Sequence, residues 1–286
     1  MKYFVASDIH GYCTAFTNSL NEKGFDINNP EHKVIICGDA FDRGTENVKL
    51  WQFMKELASK NKLIYIRGNH EELLEDCLKH QYFDSDDVGN GTAITVTEFA
   101  NFQNGKKINR LELKRDSKLV FKKAKETGII EWINDHVVNY FETEHYIFVH
   151  GFLPCVTKEC WMEYDKNGHT MIAFYPKCKI LDDWRNADEL GWYNSRWVNG
   201  IDIYFKNKAV NNIKLEKTLV VGHIRSSLAN AFVKYGIFAT ERQIYDYCYN
   251  DMKKDEHCKP YISDDFIALD SSSNYTKKVN VIVLED

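Results

Sequence analysis

The sequence predicts an α/β fold, because short apolar runs alternate with stretches of helical character. The runs are rich in Val, Ile, Phe or Tyr, which is typical of buried strands. They are Tyr3–Ser7, Lys33–Cys37, Lys62–Arg67, Tyr146–Val149, Thr218–Val221, Phe266–Leu269 and Val279–Leu284. Two helical stretches lie between the first three runs. Thr14–Lys23 ends at a glycine, and Thr45–Asn61 repeats apolar residues along one face.

Composition and charge narrow the class of protein. The 286 residues are 44% hydrophobic and 14% aromatic, as in a globular chain. Because the sequence has no repeat and no linker rich in Pro, Gly or Ser, we predict a single domain over residues 1–286. The net charge of -5 offers no basic field for duplex nucleic acid or anionic lipid. Without a signal peptide or a run of about 18 apolar residues, we expect a cytoplasmic protein with no membrane partner.

The eight cysteines are scattered along the chain and form no C-x-x-C pair. In a chain of this length without a signal sequence, we interpret them as reduced thiols rather than as a disulfide framework. A metal site made of thiolates is disfavoured as well, because the tight ligand spacing of such sites is missing.

Two regions are less regular than the rest. Residues 84–128 are interpreted as an irregular or helical insertion, and between Lys106 and Lys125 they carry nine Lys or Arg residues against two acids. That basic stretch is either a solvated helical face, as charge runs usually are, or an anion-attracting cap beside the active site. Residues 155–215 carry four tryptophans, which either wrap over the core or line a nucleotide pocket.

Polar residues and glycines follow five of the predicted strands. The segments are Ser7-Asp8-Ile9-His10-Gly11, Gly38-Asp39-Ala40-Phe41-Asp42-Arg43-Gly44, Gly68-Asn69-His70-Glu71, His150-Gly151 and Gly222-His223. In α/β sheets the crevice beyond the carboxyl ends of the strands is the usual ligand site. Five such ends in order are hard to explain as packing, because an unpaired buried polar group costs about 1–3 kcal/mol.

The residue types at these strand ends indicate two divalent metal ions. Candidate ligands of one ion are Asp8, His10 and Asp39, and those of the other are Asp39, Asn69, His150 and His223. A shared carboxylate such as Asp39 can bridge two ions about 3.5–4 Å apart. Oxygen and nitrogen ligands without thiolate suit manganese, with iron or zinc as alternatives.

The series S-D-I-H-G, G-D-x-x-D-R-G, R-G-N-H-E, V-H-G and V-G-H-I resembles the calcineurin-like metallophosphoesterase superfamily. D-R-G together with R-G-N-H-E is similar to the phosphoprotein phosphatase branch of serine/threonine phosphatases. The long stretch between Asn69 and His150 favours the bacterial and phage members of that branch. The resemblance spans Tyr3 to the closing segment Phe266–Leu284. It implies a four-layer α/β sandwich, with two packed mixed β-sheets flanked by helices.

The resemblance also implies a role for each site residue. The ligands of the two ions would be Asp8, His10, Asp39, Asn69, His150 and His223. A hydroxide held between the ions would attack phosphorus in line, and His70 would protonate the leaving oxygen. Asp42 would orient His70 and keep it charged, since a carboxylate partner raises the pKa of an imidazole. Arg43 would hold the phosphate, because a guanidinium fork matches phosphate oxygens.

The resemblance implies a second phosphate-binding arginine between the last two histidines of the series. Arg185 and Arg196 both stand there. We expect Arg196 to be this catalytic residue, because W-x-x-S-R-W resembles the bacterial members. The alternative for either residue is an exposed arginine stacked on a tryptophan. Glu71 is expected to accept hydrogen bonds behind the ligands rather than to bind metal.

We therefore predict a dinuclear metal-dependent hydrolase of phosphomonoesters, most simply a bacterial-type serine/threonine protein phosphatase that could have dual specificity. The alternative is a symmetrical dinucleoside tetraphosphate hydrolase that uses the same centre. The expected partner is thus a phosphorylated protein, a small phosphoester or a nucleotide, and the oligomeric state is open. A non-catalytic scaffold is disfavoured, because every motif position is filled.

Overall fold

The computed structural model describes residues 1–158, 177–211, 215–250 and 256–286. The strands in these ranges are β1 Lys2–Ala6, β2 His32–Cys37, β3 Leu63–Ile66, β4 Val137–Val138, β5 Phe141–Glu142, β6 Tyr146–Phe148, β7 Cys155–Lys158, β8 Lys177–Ile180, β9 Thr218–Val221, β10 Tyr261–Ile262, β11 Phe266–Ala268 and β12 Ile282–Glu285. The α-helices are α1 Cys13–Glu22, α2 Asn47–Ser59, α3 Asn69–His80, α4 Ser85–Asn90, α5 Thr92–Asn104, α6 Arg110–Arg115, α7 Leu119–Lys125, α8 Ile129–His136, α9 Glu189–Trp197, α10 Gly200–Asn211, α11 Ser226–Tyr235, α12 Glu241–Tyr245 and α13 Ser273–Thr276. A 3₁₀ turn covers Trp184–Asn186, and a π-helical turn covers Asp246–Asn250. Of the tryptophan-rich stretch 155–215, residues 159–176 and 212–214 lie outside the described residues.

Two mixed sheets form the centre of the fold. The first has the order β12-β1-β2-β3-β4, in which β1 to β4 are parallel and β12 is antiparallel to β1. The second has the order β10-β11-β9-β6-β5, with a parallel centre of β11, β9 and β6. Ala6 pairs with Ile36, and Cys37 with Ile66, so β1, β2 and β3 end side by side.

Apolar side chains pack the sheets against each other and against helices on both sides. Between the sheets, Val5 and Ile35 of the first cluster with Phe148 and Val220 of the second. A second cluster joins the other face of the first sheet to α1, α2, α3, α5, α7 and α8. A third joins the second sheet to α9, α10 and α11. Burying each large apolar side chain contributes about 1.5–3 kcal/mol. The predicted fold class, two packed mixed sheets flanked by helices, is confirmed.

The stretch 84–128 forms helices α4 to α7. Asp84 is the N-cap of α4, and its Oδ1 accepts hydrogen bonds from the backbone N–H groups of the second and third helical residues. α5 packs against α3 and α7. α7 buries Val120, Phe121 and Ala124, while the Lys and Arg side chains of 106–125 are exposed, apart from the half-buried Lys123. The basic stretch is therefore a solvated helical face on these described helices.

The last strand begins later than the sequence predicts. β12 covers Ile282–Glu285, whereas the apolar alternation predicts a strand over Val279–Leu284. Val279 and Val281 are buried in the core between the first sheet and its helices, which explains the alternation. The Asn280 side chain between them donates hydrogen bonds to backbone carbonyls, so this stretch is held by side-chain contacts before strand pairing begins.

The described residues bear on two expectations, that the cysteines are reduced thiols and that the chain has no membrane span. The seven cysteines in the described part are free thiols, and six of them are buried. Burial raises the pKa of Cys13 to about 11, which keeps this thiol protonated. No described helix combines the length and the apolar character that a membrane span requires.

Candidate active site

The candidate site lies where the parallel strands of both sheets end. The residues that follow these strands are Asp8 and His10 after β1, Asp39, Asp42 and Arg43 after β2, Asn69 and His70 after β3, His150 after β6 and His223 after β9. All are buried except Arg43 and His223, which are half-buried. The fold therefore brings residues from distant parts of the chain to one place.

The backbone at these strand ends is conformationally unusual. Ten non-glycine residues in the described chain have a positive φ, and six of them belong to the site. They are Asp8, His10, Asp39, Asp42, Arg43 and His223, with φ between 50° and 73°. A non-glycine residue in the left-handed region costs of order 1–3 kcal/mol and persists only where its surroundings enforce it. Such strain clusters at functional sites, which supports a functional role for these turns.

Two glycines allow the strand ends to approach one another. Gly38 has a φ of +80°, and a β-carbon there would collide with the ring of His150. At Gly222, a β-carbon would collide with the Ser7 hydroxyl and the Asp8 carboxylate. Each glycine directly precedes a predicted ligand. Any side chain at these positions would push the strand ends of the two sheets apart.

A first cluster contains His10, Asp39 and His70, whose ligand atoms lie within 4.8 Å of one another. Nε2 of His10 is 3.8 Å from Oδ2 of Asp39, and Nε2 of His70 is 4.0 Å from the same oxygen. Nδ1 of His10 lies 2.9 Å from the carbonyl oxygen of Phe41, which orients Nε2 toward the cluster. Asp8 borders the cluster, with Oδ1 3.9 Å from His10 Nε2.

A second cluster contains Asp39, His150 and His223, again with ligand atoms within 4.8 Å. Nε2 of His150 lies 3.2 Å from Oδ1 of Asp39 and 2.9 Å from Oδ1 of Asn69. Its Nδ1 lies 2.8 Å from the carbonyl oxygen of Cys37, which fixes the ring. Asp39 is common to both clusters and presents Oδ2 to the first and Oδ1 to the second.

The carboxylates of the site would benefit from a cation. Oδ2 of Asp8 accepts a hydrogen bond from the backbone N–H of His223, at 2.9 Å, and another from the Ser7 hydroxyl. Burial, together with the nearby carboxylates of Asp270 and Asp39, raises the pKa of Asp8 well above its usual range. Because buried like charges repel, a divalent ion beside these groups would stabilise their ionised form.

The imidazoles also fit a metal site. Burial lowers the pKa of His10 well below its usual value, and burial with the neighbouring His150 lowers the pKa of His223 to about 4. Burial opposes the charged form of His150 too, but Asp39 raises the pKa of His150 to about 10. Neutral imidazole is the ligand form, and a divalent ion would replace the proton that Asp39 attracts to His150. The donor set therefore fits manganese, iron or zinc.

His70 is held between a carboxylate and an arginine. Its Nδ1 lies 2.8 Å from Oδ2 of Asp42, while its Nε2 faces the first cluster and lies 3.1 Å from Nη2 of Arg43. Burial disfavours the charged imidazole, but the carboxylates of Asp39 and Asp42 outweigh it and raise the pKa of His70. The protonated form that a general acid requires therefore persists to higher pH.

Asp42 is fixed in turn by helix α5. The hydroxyl of Thr92 donates to Oδ2 of Asp42 at 2.8 Å, and that of Thr95 donates to Oδ1 at 2.7 Å. Sequence reasoning missed both threonines. Their spacing places them on one face of a helix, but nothing in the sequence indicates which residue that face meets.

Glu71 accepts four hydrogen bonds beside the two clusters. Its carboxylate accepts hydrogen bonds from the backbone N–H groups of Asp39 (3.0 Å), Ala40 (2.9 Å) and Gly68 (2.7 Å). The hydroxyl of Tyr65 donates to it as well, at 2.6 Å. Glu71 therefore ties the ends of β2 and β3 together and positions the shared carboxylate.

Arg196 is engaged by side chains of neighbouring elements. Its guanidinium donates to Glu72 at 2.5 Å, to Asn139 at 2.8 Å and to Glu189 at 2.6 Å. Only 2% of the residue is exposed. The contact with Glu72 connects α9 to α3. They leave the predicted phosphate-binding role of Arg196 without support, and that role stays a prediction.

Arg185 lies on the surface in the arrangement given above as the alternative. Its guanidinium donates two hydrogen bonds to Glu142, each 2.8 Å long, and one to Glu216 at 3.2 Å. Its central carbon lies 4.4 Å from the ring centre of Trp184. Arg185 is therefore an arginine stacked on tryptophan, held by a surface ion pair.

A cavity of about 280 Å³ opens beside the two clusters. Arg43 and His223 form its border with the candidate metal centre, and Arg225 and Tyr249 line it further out. Sequence reasoning missed Arg225, although it follows His223 by two residues in the same G-H-I-R segment. A basic residue so close to a predicted ligand was the signal that could have identified it.

The model of the calcineurin-like phosphoesterase family matches residues 1–227. The asymmetrical bis(5'-nucleosyl)-tetraphosphatase PrpE of Bacillus subtilis strain 168 is 32% identical over 85 residues, which cover 28% of this chain and 35% of that protein. The protein of the same name from Oceanobacillus iheyensis is 25% identical over 117 residues, which cover 38% of this chain and 45% of that protein. The chain thus spans less than half the length of these curated relatives.

The cold-active protein-tyrosine phosphatase of a psychrophilic Shewanella species aligns with 100% of this chain and 75% of its own, with a TM-score of 0.48 and 16% sequence identity. The family match covers most of the chain and includes every strand-end segment described above. The chain therefore belongs to the calcineurin-like phosphoesterase family of metal-dependent phosphoester hydrolases.

Proposed function

We propose that this chain hydrolyses phosphoesters at a pair of divalent ions, with His70 as the general acid. The observation that carries the proposal is the position of the His70 ring. Its Nε2 faces the same Asp39 oxygen as His10, while Asp42 holds its Nδ1. Manganese is the proposed metal, and iron or zinc suits the same ligands. When bound, the ions supply Lewis-acid stabilisation of the phosphoryl oxygens and an activated water.

The proposed ligands are taken from the two clusters that share Asp39, with Asp8 and Asn69 added and with His70 of the first cluster left as the acid. Those of the first ion are Asp8, His10 and Asp39, and those of the second are Asp39, Asn69, His150 and His223. The proximity of Asp8 to His10 and of Asn69 to His150 supports this assignment. Glu71 positions the backbone of the shared ligand and does not itself bind metal.

The remaining residues bind phosphate and move the proton. Arg43, whose guanidinium lies beside His70 Nε2, would bind the phosphoryl oxygens through its fork of N–H groups. His70 would give its Nε2 proton to the leaving oxygen as the phosphorus–oxygen bond breaks. Asp42, fixed by two threonine hydroxyls, keeps the second imidazole nitrogen protonated and directs Nε2 at the substrate.

Two substrate classes fit this centre. The first is a phosphoserine, phosphothreonine or phosphotyrosine side chain of a protein, which the motif set favours by resemblance. The second is a dinucleoside tetraphosphate, supported by the names of the curated relatives from Bacillus and Oceanobacillus. Those names describe asymmetrical cleavage, whereas the sequence alone favoured the symmetrical reaction as the alternative.

A side-by-side turnover assay tests the proposal. Manganese-loaded protein would receive p-nitrophenyl phosphate, a phosphoserine peptide, a phosphotyrosine peptide and diadenosine tetraphosphate at equal concentrations. Peptide dephosphorylation with the dinucleotide intact would support the protein-phosphatase class. Release of ATP and AMP would support asymmetrical cleavage, and release of two ADP molecules the symmetrical reaction. Absence of metal-dependent hydrolysis of all four compounds would overturn the proposal.

A further inference from the structure

The cavity beside the candidate metal centre is lined by charged side chains of both signs. Its described lining contains two arginines, Arg43 and Arg225, and one acid, Asp270. Arg43 borders the first cluster through His70, whereas Arg225 lies on the side of His223. Its volume of about 280 Å³ is close to the lower end of ligand sites, which hold about 300–1,000 Å³. It is therefore large enough to receive part of a substrate that extends beyond the scissile phosphate.

Arg225 is held by an aromatic ring. Its central carbon lies 4.1 Å from the ring centre of Tyr249, which stacks on Tyr245 with ring centres 4.9 Å apart. A guanidinium stacked on a ring keeps its N–H groups at the edge of its plane, where they can contact an oxyanion. Tyr249 thus gives Arg225 a defined position on the cavity wall.

Asp270 connects the two arginines. It is 7% exposed, and its Oδ1 accepts a hydrogen bond from the backbone N–H of Ser272 at 2.6 Å. Burial raises the pKa of Asp270, while Ser272, Arg43 and Arg225 act against that rise. Both guanidinium groups therefore lie near one buried carboxylate.

The cavity also has an apolar part. Leu228, Ile244 and Tyr249 belong to its lining. Tyr275, which follows the turn at Ser272, lines it as well. A fully charged surface would suit only an inorganic anion. Apolar and aromatic groups beside two arginines instead suit an organic group attached to a phosphate chain.

We propose that Arg225 is a specificity-determining residue that binds a second phosphate group, carried by the leaving side of the substrate. The inference rests on the proposed phosphoester hydrolysis and names its substrate class as nucleoside polyphosphates, dinucleoside polyphosphates included. A phosphorylated side chain of a protein carries one phosphate and has no group for Arg225. A substrate with consecutive phosphates can contact Arg43 through the scissile group and Arg225 through a later one.

The test compares Arg225→Met with a matched control, Arg242→Met. Arg242 lies on α12, 92% exposed, and is not part of the cavity lining. The readout is the ratio of kcat/KM for diadenosine tetraphosphate to kcat/KM for p-nitrophenyl phosphate, which lacks a second phosphate. Loss of a charged hydrogen bond should lower this ratio about 10- to 100-fold in Arg225→Met, mainly through KM, and leave it constant in Arg242→Met. An unchanged ratio in Arg225→Met would overturn the inference.

A binding experiment separates this inference from the proposed hydrolysis. Calorimetric titration of manganese-loaded protein with AMP and with ADP compares ligands that differ by one phosphate. Arg225→Met should lose most of the preference for ADP, and Arg225→Lys should retain part of it because the charge is kept. Equal preferences in wild type and Arg225→Met would overturn the subsite even if every substrate were hydrolysed. A lost preference would support it even in a protein without turnover, which would instead refute the proposed function.

Discussion

The carboxyl ends of the strands contribute to the site differently in the two sheets. We call the ends of β1, β2 and β3 in the first sheet the first edge, and the ends of β6 and β9 in the second sheet the second edge. The edge of the first sheet supplies Asp8, His10, Asp39, Asp42 and His70, all of them buried, in short segments directly after β1, β2 and β3. The edge of the second sheet supplies His150 and His223 and, outside them, the cavity with Arg225. Five of the six site residues with a positive φ lie on the first edge, whereas His223 and Arg225 of the second edge line the cavity. The proposed proton donor and the proposed shared ligand thus belong to the first edge, and the proposed contact to a second phosphate belongs to the second.

The largest effect is expected from replacing His70, the proposed general acid of the first edge. His70→Asn should lower kcat about 10²- to 10⁴-fold for substrates with poor leaving groups, because the proposed proton donor is lost. The loss should shrink for p-nitrophenyl phosphate, whose leaving group needs little protonation. Turnover of aryl and alkyl phosphates of graded leaving-group pKa measures this. Equal slowing across the series would contradict the role of His70.

His80→Asn is the matched control for that experiment. His80 lies on the same helix α3, but its Nε2 contacts Asp87, 3.0 Å away, in the insertion rather than in the site. Its replacement should leave the dependence of rate on leaving-group pKa as in the wild type.

A smaller effect is expected from the hydrogen bonds that position Asp42. The double change Thr92→Val and Thr95→Val keeps the side-chain shape and removes both hydroxyl donors. A hydrogen bond to a charged group contributes about 1.5–3 kcal/mol, so kcat should fall roughly 10-fold or more while KM changes little. Thr97→Val on the same helix is the control. A change confined to KM would show that the threonines serve binding rather than the acid.

The smallest effect is expected at Arg185, on the outer part of the second sheet. Hydrogen bonds from Arg185 lower the pKa of Glu142 to about 2 from an ordinary value of 4.5. The pair therefore stabilises the fold above pH 4.5, and this contribution is lost as the pH falls toward 2. Glu142 is 20% and Arg185 34% exposed, so Arg185→Met should cost no more than about 1 kcal/mol.

Thermal unfolding at neutral pH and at about pH 2.5 measures the effect of Arg185→Met. The difference in Tm from the wild type should be present at neutral pH and much smaller in acid. Unchanged activity is expected at the same time. Loss of turnover with native Tm would show that Arg185 acts on the substrate.

Much of the first edge could be predicted from the sequence because each segment is contiguous with a buried strand. Asp39 lies two residues after β2 and His70 four residues after β3, so predicting the strands also predicts the location of these side chains. The fold class followed from the same runs, and the family match confirms the metal-dependent phosphoester hydrolase.

What the sequence did not predict depends on contacts between distant segments. Thr92 and Thr95 act on Asp42 only because α5 packs across the end of β2. Arg196 points to Glu72 of α3, a pairing set by how the second-sheet helices pack on the first. Arg225 is positioned by stacking on Tyr249, which follows it by 24 residues and lies in a helical turn.

The central claim is that Asp39 joins two metal sites. Equilibrium dialysis against manganese, followed by measurement of metal content and electron paramagnetic resonance, tests it most directly. The wild type should bind two ions per chain with a spin-coupled signal, as expected for ions about 3.5–4 Å apart. Asp39→Asn should lose both ions, while the exposed Asp26→Asn should retain them. Retention of one tightly bound ion in Asp39→Asn would contradict the claim, because a shared ligand cannot be removed from one site alone.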